Sequence, residues 1–193
     1  MATTYRDDLE ARLEIEGIFP ALRQSKWKLR SPINNEYNCH AWGACNCGQR
    51  WEPTVEWYWP VAYQYDPANY WTYYTVDRFK EAFSTLGYEP CGDSTYELGF
   101  QKIAIYTQLF QGIPDFPSHT ARQKVFGRGW LSKLGNLEDI EHVGPEDLRD
   151  GYGHTMYFMK RTVWTALTRR STIVCGLHSI RFFMQRRLLF LIR

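Results

Sequence analysis

Cys39 is the first side chain in this sequence that could act as a nucleophile. It follows Asn38, a residue type that favours the N-cap of a helix, so the sequence predicts a helix that begins at Cys39. A thiol at a helix N-terminus is close to the positive end of the helix dipole, which lowers its pKa and favours the thiolate. The backbone N–H groups near Cys39 would then stabilise a developing oxyanion. The alternative is a packing role, because cysteine is among the most buried residue types.

A cysteine nucleophile needs a base, which is usually a histidine distant in sequence. His119 fits this role, because it begins a predicted strand directly after a loop, where a side chain projects at the edge of a sheet. His142 and His154 are alternative bases. His40 is adjacent to Cys39, and neighbours on a helix point about 100° apart, so His40 is expected to pack rather than to catalyse.

Metal binding is not expected. Cys45 and Cys47 form a C-x-C motif, but the second cysteine pair of a structural zinc site is missing. The N-terminus is charged and lacks the apolar segment of a signal peptide, which favours the cytoplasm and free thiols. We therefore predict neither a metal ion nor another cofactor.

The charge of the chain is divided between an acidic body and a basic tail. Residues 1–159 hold all 21 acidic residues and 15 basic ones, whereas residues 160–193 hold eight basic residues and no acidic one. An acidic body is a poor nucleic-acid binder, so nucleic acid is excluded as a partner. Aromatic residues make up 17% of the chain and concentrate in residues 51–75. That segment is interpreted as a core wall or, alternatively, as a groove that stacks sugars, bases or an acyl chain.

The tail carries one apolar helical stripe between Ile173 and Leu191, with arginines away from it. Such a basic amphipathic helix suits an anionic membrane surface or a protein partner. The alternative is that the helix packs on its own acidic body. We therefore predict two units, a domain over residues 1–161 and a helical tail over residues 162–193, with a cytoplasmic or membrane-peripheral location.

The order of predicted elements indicates the fold class. Helical patterns come first, and several strand patterns follow close together, which points to an α+β fold with a mostly antiparallel sheet. Residues 108–118 are expected to form a loop, and residues 119–126 and 130–134 a hairpin. Pairing Phe126 with Trp130 would place Lys124 opposite Ser132.

Seven short motifs in a shared order resemble an uncharacterised bacterial domain family. They are YNCHAWG (37–43), LGYEPC (86–91), KIAIY (102–106), SHTARQ (118–123), GWLSKLG (129–135), DIEH (139–142) and YGHTMYFMKR (152–161). That family is in turn similar to NlpC-type members of the papain-like superfamily. The resemblance covers about residues 37–161, and it departs from the family pattern in the long segment 108–118 and in the tail.

The resemblance implies a papain-like, NlpC-like cysteine hydrolase fold, in which a cysteine at a helix N-terminus packs against a sheet that presents the histidine. Carried over to this chain, Cys39 is the nucleophile and His119 the base. The third, orienting group is Ser132, Lys133 or Asn136, and we select Ser132. The expected function is hydrolysis of an amide, peptide or thioester bond. The alternative is a non-catalytic interaction domain of the same fold, whose tail binds a membrane or a partner.

Overall fold

A single antiparallel sheet forms the centre of the molecule. The computed structural model describes residues 8–62, 66, 68, 73–126 and 128–164. Within them, seven strands are arranged in the order β1-β6-β5-β4-β3-β7-β2, and every neighbouring pair is antiparallel. The strands are β1 (Lys28–Leu29), β2 (Glu89–Cys91), β3 (Phe100–Phe110), β4 (Ile113–Gln123), β5 (Trp130–Lys133), β6 (Asp139–His142) and β7 (Thr155–Thr162). The prediction of an α+β fold with a mostly antiparallel sheet is confirmed.

Helices cover both faces of the sheet. The helices are α1 (Asp8–Ile18), α2 (Cys39–Gly43), α3 (Val76–Ser84) and α4 (Arg149–Tyr152). Helices α2 and α3 bury one face through a cluster that includes Trp42, Phe83 and Ile105. Residues of α1 and of the segment before α4 bury the other face through a second cluster, which includes Ile15 and Tyr106. Each strand of the sheet centre therefore sends alternate side chains into two separate cores.

Helix α2 begins where the sequence predicted. Asn38 has extended backbone angles, and its side chain accepts a hydrogen bond from the amide of Ala41, as an N-cap residue should. The same side chain also bonds the backbone of Trp51, with which it exchanges two hydrogen bonds. The helix is only five residues long, because Cys45 adopts a left-handed backbone conformation that ends it.

The expected loop at residues 108–118 is wrong, because this segment forms the tip of the β3–β4 hairpin. Strands β3 and β4 pair from Ile103 and Arg122 to Phe110 and Ile113, and the turn consists of Gln111 and Gly112 with positive φ. Positive φ at both residues is typical of the type I′ hairpin turn. Two prolines in β4 suggested a loop. Strand β5 pairs with β4 only at its far end, so the N–H groups that these prolines lack would have had no β5 partner.

The second expected hairpin has a different register. Arg122 pairs with Leu131 and Gln123 with Trp130, so β4 ends three residues before Phe126. Continuing this register, Ser132 lies opposite Ala121 rather than opposite Lys124. Strand β6 follows β5 closely in the chain and pairs along the whole length of β5.

The predicted amphipathic helix of the tail lies outside the described residues, which end at residue 164. The proposed boundary between a domain over residues 1–161 and its tail consequently stays a prediction. Among the helices that the structure describes, none has the length and hydropathy needed to cross a membrane.

Candidate active site

Cys39 lies at the bottom of an open cleft. It is the first residue of α2, and 7% of its surface is exposed. The cleft has a volume of about 550 Å³. One wall comes from the segment after α2 and includes Arg50, Glu52 and Trp57, and the opposite wall comes from the tip of the β3–β4 hairpin and includes Phe116. Cys39 is therefore among the residues that a ligand in this cleft would meet.

A hydrogen-bonded network fixes one side of the cleft beside Cys39. The Glu52 carboxylate accepts hydrogen bonds from Arg50 at 3.0 Å, from Asn38 at 3.3 Å and from the Tyr74 hydroxyl at 3.4 Å. Tyr74 in turn stacks on Phe116, with ring centroids 5.2 Å apart. The residue that caps the Cys39 helix is thus connected to both walls of the cleft. Part of the aromatic segment 51–75 therefore lines a groove, while Trp51 belongs to the core.

His119 lies within β4 rather than at its start, which corrects the expectation from sequence, and at this position β4 pairs with β3 but not with β5. It is fully buried, and its ring stacks on Tyr152 with centroids 4.0 Å apart and packs edge-on against Tyr106. The neighbouring Thr120 points to the opposite face, where its hydroxyl bonds His40 Nδ1 at 2.9 Å. His119 and the α2 helix consequently lie on different faces of the sheet, and His119 does not line the cleft.

Thr120 contacts helix α2 and is the neighbour of His119 in β4. Helix α2 packs on β4 through the bond between His40 and Thr120, and the Cys39 thiol interacts with the Thr120 backbone, one residue from His119. In the described structure, no hydrogen bond joins the Cys39 thiol to His119. The Nδ1 atom of His119 is buried and has no hydrogen-bond partner among the described residues.

Ser132 contacts His119 directly. Its hydroxyl lies 3.1 Å from His119 Nε2 and 2.9 Å from Nε2 of His142, whose Nδ1 lies 2.8 Å from the Gly144 carbonyl. Because Ser132 continues the register opposite Ala121, it is the diagonal neighbour of His119 on the same sheet face. The structure thus brings His119 and Ser132 together through a register other than the expected one.

His142 was considered from sequence only as an alternative base, and its contact with Ser132 was missed. The signal that could have found it is the alternation in DIEH, which puts Ile140 and His142 on one face of a strand. Of the other candidates, Lys133 is buried on the α2 side and donates to the Leu137 carbonyl, whereas Asn136 and His154 are exposed. None of these three has a hydrogen bond to His119 in the described structure.

Burial controls the protonation of the site. It raises the pKa of the Cys39 thiol to about 11, although hydrogen bonding from the Thr120 backbone and the charge of Lys133 oppose the rise. Burial also lowers the pKa of His119 well below its usual value, and it lowers that of His40 to about 3. The expectation of a resting thiolate is therefore wrong, because the dipole of a five-residue helix is outweighed by desolvation.

The thiols differ in state. Cys39, Cys45 and Cys91 are free, whereas Cys47 is disulfide-bonded, which corrects the expectation that all cysteines are free thiols. Sequence alone could not show this, because the pairing depends on three-dimensional proximity. Among the residues with described positions, no group of three or more His, Cys, Asp or Glu side chains is arranged to hold a metal ion.

Comparison with known proteins identifies one family. Its model matches residues 28–160, which is more than half of the chain and contains every site residue discussed above. Neither a curated protein nor a solved structure matches the chain. The chain therefore belongs to the family described as Domain of unknown function (DUF7689).

Proposed function

We propose that this chain is a papain-like cysteine hydrolase that acts on an amide, peptide or thioester bond. The observation that carries the proposal is the position of Cys39, which lines a cleft while its thiol interacts with the strand backbone one residue from His119. His119 keeps one ring nitrogen without a partner and the other near Ser132. The motif order that resembles NlpC-type hydrolases supports the same assignment.

In the proposed reaction, both groups start neutral. The Cys39 sulfur attacks the substrate carbonyl carbon while its proton moves to His119 Nδ1. The imidazolium then protonates the leaving amine or thiolate, the bond from the carbonyl carbon to that group breaks, and a thioester remains on Cys39. Water attacks this thioester and gives a proton to His119. The carboxylic acid leaves as the sulfur regains that proton.

The neutral starting state determines when the proton moves. A thiol with a pKa of about 11 is almost entirely protonated at pH 7, so the thiolate forms only as the sulfur attacks. Catalytic hydrogen bonds are often long without substrate and shorten in the complex. The Cys39 thiol interacts with the Thr120 backbone where β4 has no β5 partner, so we expect substrate binding in the cleft to bring the thiol past this free edge to His119 Nδ1.

Acylation by an activated thioester tests the proposal without knowledge of the natural substrate. The full chain is incubated with phenyl thioacetate at pH 7.5, and the acetylated cysteine is identified by peptide mass spectrometry. We expect rapid acetylation of Cys39, and loss of a general base should slow it by about 10²–10⁴-fold in His119→Gln. Partly exposed Cys91 reports spontaneous exchange, and His154→Gln is the matched control because His154 is exposed.

A second candidate function is a non-catalytic interaction domain of the same fold. It is favoured by the burial of His119 behind the cleft and by the missing hydrogen bond to Cys39. In that case Cys39 would be acetylated no faster than Cys91, and His119→Gln would leave the Cys39 rate unchanged. Either result would exclude the hydrolase proposal.

A further inference from the structure

A buried hydrogen-bonded chain leads from His119 to the backbone of β6 and the segment that follows it. It consists of His119, Ser132 and His142 and ends at the Gly144 carbonyl, with successive distances of 3.1, 2.9 and 2.8 Å. All three side chains belong to residues that are at most 1% exposed. Water therefore has little access to these bonds, and the direction of each must be set by the donors and acceptors within the chain itself.

The Gly144 carbonyl fixes the direction of its own hydrogen bond with His142. A carbonyl oxygen can only accept, so His142 Nδ1 carries a proton and donates it. The Asp147 carboxylate, 3.8 Å from the same nitrogen, can also only accept. When His142 is neutral, its Nε2 atom is consequently unprotonated and accepts the hydroxyl proton of Ser132.

The direction then propagates to His119. A serine hydroxyl has one proton, and Ser132 donates it to His142, so the Ser132 oxygen must accept the bond from His119. His119 Nε2 therefore carries the proton. His119 is neutral, because burial lowers its pKa, so its Nδ1 atom keeps a free lone pair. This is the same atom that has no hydrogen-bond partner among the described residues.

We propose that Ser132 and His142 are positioning residues that hold His119 in its Nε2–H tautomer, with a bare Nδ1 atom available to accept a proton. The tautomer follows from the directions of the hydrogen bonds together with the neutral state of His119. Its role in accepting the Cys39 proton rests on the proposed hydrolase function. The opposite direction of the chain would require His142 to carry two protons.

Histidine NMR tests the tautomer directly. In long-range ¹H–¹⁵N spectra of the ¹⁵N-labelled full chain at pH 8, His119 should show a protonated Nε2 and the downfield shift of an unprotonated Nδ1. The His119 signals are assigned by their absence in His119→Gln. In His142→Phe, the Ser132 hydroxyl no longer has its acceptor and can donate to His119, so a population with protonated Nδ1 should appear. His154→Gln should leave the His119 signals unchanged.

The acylation rate supplies an independent measurement. With phenyl thioacetate, His142→Phe and Ser132→Ala should slow acetylation of Cys39 at least tenfold, whereas Ser132→Thr, which keeps the hydroxyl, should retain most of the rate. A wrong tautomer in a serine-protease triad lowers kcat about 10⁴-fold, so a detectable loss is expected even from a partial shift. If His142→Phe does not fold, the tautomer of the unaltered protein still decides the proposal.

The outcomes separate this inference from the proposed function. A protonated Nδ1 on His119 in the unaltered protein would refute the inference, and His119-dependent acetylation of Cys39 would still support the hydrolase. An Nε2–H tautomer that is unaffected in His142→Phe would also refute it, because His142 would then not set the direction. The predicted tautomer together with an unreactive Cys39 would refute the hydrolase and leave the tautomer assignment intact.

Discussion

Replacing Gly43 with alanine should destabilise the contact that holds α2, and with it Cys39, against β4. A Cβ atom at Gly43 would lie 2.5 Å from Thr120 Cγ2, 3.2 Å from Thr120 Cβ and 3.4 Å from Phe83. Thr120 is short and branched and cannot simply swing away. Rotating it would break the hydrogen bond between its hydroxyl and Nδ1 of buried His40. The clash must therefore be relieved by moving the helix or the strand.

The expected size of this effect follows from opposing contributions. Overpacking of a well-packed core typically costs about 1–3 kcal/mol. Losing the bond between Thr120 and His40 would leave a buried polar group unsatisfied, at about 1–3 kcal/mol. Removing a glycine from the unfolded chain returns only about 0.4–1 kcal/mol. We therefore expect Gly43→Ala to lower the free energy of unfolding by about 2 kcal/mol.

Urea unfolding followed by tryptophan fluorescence is the assay. The matched control is Gly17→Ala in α1, where a Cβ atom would meet nothing within 4 Å. This variant should be as stable as the original protein or more stable by up to about 1 kcal/mol. If Gly43→Ala is as stable as Gly17→Ala, then α2 does not pack tightly on Thr120, and the reasoning about the position of Cys39 fails.

Three further predictions concern buried titratable groups and the tail. The pKa of His40 is about 3 in the folded protein, below the usual 6.5, so its contribution to stability is present above pH 6.5 and is lost as the pH falls towards 3. In urea titrations, the free energy of unfolding should fall less between pH 7 and pH 4 in His40→Gln than in the original protein. The difference between the two losses should be up to about 3 kcal/mol. The Tyr37 hydroxyl donates to the carboxylate of Asp139, whose pKa is raised to about 6 by burial. Tyr37→Phe should therefore lower the free energy of unfolding by about 1.5–3 kcal/mol at pH 8, and by less at pH 5, where the carboxyl is largely protonated. An equal loss at both pH values would contradict this. Removal of residues 165–193 should leave a folded body and abolish sedimentation with phosphatidylserine vesicles, because six arginines are lost; unfolding of the truncated protein would show that the tail belongs to the core.

Local signals in the sequence were sufficient for several elements. Asn38 marks the start of α2 because its side chain satisfies an amide within the same turn. The apolar spacing of residues 76–87 predicts an amphipathic helix, and α3 forms there with Thr75 as its N-cap. The sequence of residues 100–107 predicts a strand, and these residues fall within β3. Each of these depends on interactions between residues close in sequence, so no knowledge of the remaining chain was needed.

The site depended on long-range facts that the sequence does not contain. The register between β4 and β5 differs by three residues from the expected one, and the diagonal contact between His119 and Ser132 follows from the observed register. His119 was expected to begin a strand because the prolines of β4 suggested a loop before it, whereas β4 begins at Ile113. The pKa of Cys39 was expected to be low because the thiol lies at a helix N-terminus. Burial raises it instead, and the burial of this thiol cannot be inferred from the residue that caps the helix.

The most direct test of the account is the alkylation of Cys39 in the presence and absence of His119. Site-resolved rates with iodoacetamide at pH 7.5 are measured by mass spectrometry, with Cys91 in the same molecule as the internal standard. Because burial raises the pKa of the Cys39 thiol to about 11, we expect its reaction at this pH to depend on proton transfer to His119 as the reagent enters the cleft. We predict that Cys39 reacts in the original protein and in His154→Gln, and that its rate relative to Cys91 falls at least tenfold in His119→Gln. An unchanged ratio in His119→Gln, or a Cys39 that does not react in the original protein, would contradict the assignment of these two residues as nucleophile and base.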